Sequence, residues 1–189
     1  MTSLPLHPAI VHLPLGLALV IPALALASIW AIWTGRARPR AWLAIVALQS
    51  VLLGAGLVAM NTGEREEDRV EAVVPEAAIE QHEAYAEQFL WAAGITLALA
   101  AGVLAVRQPA AAGVLAAAAF AGTLAVAASG LRVGHAGGQL VYVHNAGAAY
   151  ASARGGTAVT GRASQASAYE KPRGSDHADG ERSHVERRD

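Results

Sequence analysis

Ala9-Ile10-Val11-His12-Leu13-Pro14-Leu15-Gly16-Leu17-Ala18-Leu19-Val20-Ile21-Pro22-Ala23-Leu24-Ala25-Leu26-Ala27-Ser28-Ile29-Trp30-Ala31-Ile32-Trp33 contains no acid, lysine or arginine. About 20 apolar residues in a helix cross the hydrocarbon core of a bilayer, so this stretch is long enough to span one. Residues 41–60, 89–106 and 108–131 are also free of charged side chains. The expectation is an all-α fold: a four-transmembrane-helix bundle within residues 1–150, with spans at about 9–33, 41–60, 89–106 and 110–131. A soluble bundle of buried Ala-rich helices is the competing reading, and four such runs in 189 residues argue against it. The composition agrees, at 54% hydrophobic and only 15% charged. Ala23-Leu24-Ala25 imitates a signal-peptide cleavage site, but Met1–Leu6 lacks Lys and Arg and the run is too long for a signal, so it is read as a retained helix.

Charge sets the expected orientation. Arg36, Arg38 and Arg40 follow the first run, Arg107 lies between the third and fourth, and residues 61–88 carry nine acids against two arginines, a local charge of −7. The positive-inside rule then places both termini outside the cytoplasm of a bacterial inner membrane. Pro75 followed by Glu76, Glu80 and Glu83 predicts an extramembrane acidic helical segment leading directly into the third span. Pro22 predicts a kink in the first span, and Trp42 is assigned to an interfacial belt with Trp30 and Trp33. After Leu131, the glycines at 134, 137 and 138 predict turns and residues 140–143 a short β-prone run that folds His144 back over the bundle mouth. Residues 151–189 read as a disordered polar tail.

The chain contains no cysteine, which excludes disulfides, thiolate metal sites and covalent c-type haem within it. A formal net charge of −1 without a basic stripe argues against nucleic acid. The spans hold Gln49, Ser50, Thr96, Thr123 and Ser129 but no midplane ionisable group, which argues against a translocation pathway. Small residues at helical spacing, Ser50/Gly54, Gly94/Ala98/Gly102 and Gly113/Ala117, predict close helix contacts. Gly16, Gly54, Gly56 and Ala128–Gly130 offer an alternative use, a slot for a flat cofactor.

Chemistry is left to histidine. His7, His12, His82, His135 and His144 all fall on one side of the expected membrane, whereas His177 and His184 lie in the tail. His12 is one turn into a span, where an imidazole needs a partner or a ligand. His7, roughly 500° of helical rotation away, belongs to another face and is an accessory. His82 sits among Glu80, Glu83 and Glu87, and Ala86 four residues on rules out an HExxH zinc motif. There is no nucleophile elbow, phosphate loop or dinucleotide fingerprint, so a binding or electron-transfer protein is expected rather than an enzyme. His12 and His82, with His144 third, are the expected ligands of a b-type haem. Copper or zinc on the same histidines with Glu83 or Glu87 is the alternative, as is a non-catalytic subunit that docks a partner at the outer face.

His7-Pro8-Ala9-Ile10-Val11-His12-Leu13-Pro14, Thr62-Gly63, Glu80-Gln81-His82-Glu83 and Gly137-Gly138-Gln139-Leu140-Val141-Tyr142-Val143-His144 resemble, in order, the motifs of the bacterial membrane family described as domain of unknown function 2231. The resemblance covers residues 4–150. It implies a four-span inner-membrane protein with recurring histidines at His7, His12, His82 and His144. The association of some family members with cytochrome-type redox modules implies haem and a redox partner. Leu13, where an aromatic is expected, and Asn145, where glycine is usual, depart from the pattern.

Overall fold

Pro14 has no backbone N–H to offer the Ile10 carbonyl, and the chain marks this by dividing its first helix. In the computed structural model, which describes residues 7–149, α1 spans His7–Ile10 and α2 His12–Trp33. Val11 between them keeps helical dihedrals, and its N–H reaches the His7 carbonyl at 3.1 Å. His7 is therefore part of the helix.

A short 3₁₀ turn, Pro39–Trp42, then leads into α3, Leu43–Val70; α4 is Glu76–Ala105 and α5 is Pro109–Tyr142. Gly35, at φ +72°, turns the chain after α2, and the Arg36 guanidinium lies 4.7 Å over the Trp30 ring. Pro39 and Pro109 stand at helix starts, where their missing N–H and fixed φ do no harm. Sequential helices pack side by side, and contact between α2 and α5 closes the ring into a four-helix bundle. The described residues belong to one compact unit, and none is in a strand. The expected tail at 151–189 lies outside the described residues.

Four helices are long and apolar enough to cross a membrane, yet only 17–28% of their most apolar windows is buried within the bundle. Leu19, Val20, Leu26, Leu57, Ile95 and Leu131 are all more than half exposed. An apolar surface of this extent requires lipid, not water. The protein is a multi-pass membrane protein.

Ala18, Ile21, Ala25, Ile45, Leu52, Phe89, Ala93, Ala100, Ala119 and Val126 form the membrane core. Trp42 joins them and does not sit in a belt with Trp30 and Trp33: it is 1% exposed, and its Nε1 donates to the Ala100 carbonyl at 2.9 Å. Of the glycines marked by the small-residue spacings, Gly102 would bring an added Cβ into ordinary contact with Leu115 at 3.5 Å, and the tightest packing falls on others. A Cβ on Gly122 would stand 2.5 Å from Thr96 Oγ1 and one on Gly56 2.8 Å from Leu90, whereas Gly54, Gly94 and Gly113 meet nothing within 4 Å.

Two helices run past the expected span ends. α3 continues ten residues beyond Met60, through the acidic segment, and α5 reaches Tyr142 through all three glycines expected to turn. The 34 residues of α5 measure about 51 Å at 1.5 Å per residue, against a hydrocarbon core of ~30 Å. The ends of α3, α4 and α5 project together and bury a second apolar cluster, Val74, Ile79 and Ala146, with Val70, Ala78 and Leu140 against it.

Candidate histidine layer

Each helix of the bundle turns one line of residues inward at alternating three- and four-residue spacing, the periodicity of packed antiparallel helices. On α1 and α2 the line is His7, Val11, Pro14, Ala18, Ile21 and Ala25. On α3 it is Ile45, Gln49, Leu52, Gly56, Ala59 and Gly63. On α4 it is Ile79, His82, Ala86, Phe89, Ala93, Thr96 and Ala100. On α5 it is Ala119, Thr123, Val126, Gly130, Val133, Gly137 and Leu140. All these residues are buried or half-buried. Where the lines leave the membrane core they bring His7, Gly63, His82 and Gly137 together in one layer.

The contacts bear out that layer. Seen from Gly63, an added Cβ would stand 3.2 Å from His7 Cε1; seen from Gly137, 3.2 Å from His82 Cε1. Each imidazole thus occupies room that a side chain on the neighbouring helix would have taken. The two rings meet across the bundle in a T-shaped arrangement, centroids 6.4 Å apart and planes at 89°. Beneath them is the membrane core, reached through Phe89; beyond them is the cluster of Val74, Ile79 and Ala146.

The two imidazoles are held differently. His7 Nδ1 donates to the Ala59 carbonyl at 2.8 Å, and Thr62 Oγ1, which itself donates to the same carbonyl at 2.8 Å, lies 3.4 Å from that nitrogen. This bond fixes the tautomer and leaves Nε2 with its lone pair. The Val133 carbonyl approaches His82, but its fully buried Nδ1 has no hydrogen-bond partner among the described residues. A buried polar atom left unpaired costs about 1–3 kcal/mol, which distinguishes the His82 ring from that of His7.

The other histidines stand apart from this layer. His12 is exposed on α2, five residues from His7 and off the inward line; the two do not share a face, and the one turned inward is the half-buried His7. His135 is exposed on α5, at the rim of an apolar groove of about 230 Å³ against α2 that includes Leu15, Ala18, Leu19, Gly130 and Gly134. This groove lies at the expected flat slot in part, but neither His7 nor His82 borders it. His144 is half-buried just beyond α5, before Asn145 at φ +56°. The expected trio of His12, His82 and His144 is not assembled: among the described residues no three His, Cys, Asp or Glu side chains are placed to hold one metal ion. Glu83 is half-buried, and its charged neighbours are acids, Glu67 and Glu64 of α3 with Glu87 and Glu80 of α4.

Sequence reasoning ranks His7 as an accessory behind His12, and passes over Gly63 and Gly137 as members of the site. The signal was present in the three-and-four spacing carried outward past the apolar runs, which puts all three on the inward line. Compared with protein-family models, with curated proteins and with solved structures, the chain matches none of them.

Proposed function

We propose that this protein binds a transition-metal ion through imidazole at the His7–His82 layer, in a bacterial inner membrane with both termini outside the cytoplasm. The observation that carries the reading is the buried, unpartnered Nδ1 of His82 facing a second imidazole whose own tautomer is set by a backbone carbonyl. A carbonyl behind a ligating imidazole is the usual way proteins orient it and raise its basicity. The placement of Arg36, Arg38 and Arg40 at the opposite end supports the orientation. The motif around His7, Thr62-Gly63 and the segment 137–144 support membership of the domain of unknown function 2231 family as part of the same reading.

Haem fits this layer poorly. A porphyrin between the rings would extend sideways into α3 and α5, whose Gly63 and Gly137 already lie so close to the two imidazoles that an added methyl would stand 3.2 Å from each ring. The nearby groove holds about 230 Å³ and offers only His135. A bare ion, copper or zinc, suits the space. Elemental analysis of protein purified from metal-supplemented membranes tests the reading, with an oxidised-minus-reduced spectrum beside it. About one metal ion per chain, lost in His7→Ala and His82→Ala, is expected. Metal-free wild-type protein, or a Soret band that tracks the two histidines, overturns it.

A second reading, docking of a partner subunit or redox protein at the same end, draws on a different observation. Tyr142 is 89% and Val143 69% exposed where α5 has left the bilayer. Crosslinked co-purification of one stoichiometric partner, lost on Tyr142→Ser and indifferent to His82→Ala, supports it.

A further inference from the structure

The geometry points to a monovalent d¹⁰ ion, Cu(I), held two-coordinate across the bundle axis by His7 Nε2 and His82 Nδ1; this rests on the metal reading above. An imidazole nitrogen binds a first-row metal at about 2.0–2.1 Å, and a ring centre lies ~1.1 Å behind its nitrogen, so two imidazoles sharing one ion in line have centres roughly 6.3 Å apart. The observed separation is 6.4 Å. The rings stand T-shaped at 89°, so side-chain rotation brings the two nitrogens into line on the ion, and a linear N–M–N unit then tolerates any angle between the ring planes.

Coordination number decides between the ions. Zn(II) takes four ligands in structural sites and three protein ligands plus water in catalytic ones, and Cu(II) prefers a square-planar or tetragonal set. The described residues supply two imidazoles and no third His, Cys, Asp or Glu within reach. The layer lies between two apolar clusters. Dry surroundings disfavour the doubly charged ions more than a singly charged one. Binding is a ligation without redox change: two neutral imidazoles each give a lone pair, and no bond to hydrogen breaks.

The test uses the full chain in detergent or nanodiscs, titrated anaerobically with Cu(I) against a chromophoric Cu(I) chelator, and separately with Zn(II). Wild type is expected to take one Cu(I) per chain, with two nitrogen scatterers in the X-ray absorption spectrum. His7→Ala and His82→Ala should each weaken it by at least about 100-fold, while His12→Ala and His135→Ala leave it unchanged. Because an alanine in the layer disturbs packing, His82→Met serves as the second variant. A thioether is a good ligand for Cu(I) and a poor one for Zn(II), so Cu(I) binding should survive in it. Tight Zn(II) binding that exceeds Cu(I) and depends on both histidines overturns the monovalent assignment and leaves the metal reading standing. Failure of both ions to bind folded wild type, or binding indifferent to both histidines, overturns the two together.

Discussion

At Gly122 and at Gly137 the same helix, α5, omits a side chain for the same steric reason, but the two gaps receive different things. Gly122 admits the hydroxyl and methyl of Thr96 deep in the membrane, and Gly137, fifteen residues outward, admits the imidazole of His82. The bilayer core also contains an unpartnered buried atom, Gln49 Oε1, but the Gln49 amide is anchored through Nε2 to the Ala93 carbonyl within an apolar layer that includes Ile45, Leu52 and Ala93. The lesson is that close approach is a packing device throughout, and its chemical meaning is set by what enters the gap.

The comparison breaks most readily at Gly122. A methyl there would collide with a stiff β-branched side chain, and Gly122→Ala should cost about 1–3 kcal/mol of bundle stability, read as a lowered Tm in detergent. Adding Thr96→Ala should restore most of the loss; no recovery would mean that the contact does not govern the packing of α4 on α5. Gly137→Ala should instead act on the ligand. With a contact of 3.2 Å the ring must shift by a few tenths of an ångström, and ion affinity should fall about tenfold, ~1.4 kcal/mol, with Tm nearly unchanged. A Tm loss as large as that of Gly122→Ala would make the histidine layer just another packing layer.

Trp42→Phe keeps most of the buried ring but removes the Nε1 bond to Ala100. The expected cost is about 1 kcal/mol, measured by thermal unfolding, and no effect on ion binding should accompany it. The smallest effect belongs to Gln49→Met, which replaces an amide with one unsatisfied oxygen by an apolar side chain of similar volume. Stability should change by less than about 0.5 kcal/mol or rise; a clear loss would show that Gln49 Oε1 has a partner of its own.

The membrane spans were legible because lipid selects on composition alone: four uncharged runs cannot be hidden, whatever their neighbours. The acidic helix start after Pro75 was legible for a similarly local reason, since acids in a first turn offset the helix dipole. Trp42 was misplaced because a tryptophan at a span end looks the same in sequence whether its ring meets headgroups or the Ala100 carbonyl. The glycines of α5 were misplaced because a glycine's freedom to turn and its service as a contact point are indistinguishable along a chain. Packing decided for contact, and the helix continues to Tyr142. Choosing His12 over His7 had a related cause: depth in the apolar run was weighed above phase on the helix.

By itself the sequence determined the lipid-facing length of the helices, their alternation across the membrane, the want of cysteine chemistry and the gathering of histidines at one end. Those are properties of single segments, set by hydropathy, charge and residue type. Only the tertiary structure decided which imidazoles meet. His7 and His82 are 75 residues apart in the chain, and what brings their rings to 6.4 Å is the phase at which the inward lines of four helices coincide, with Gly63 and Gly137 leaving the space.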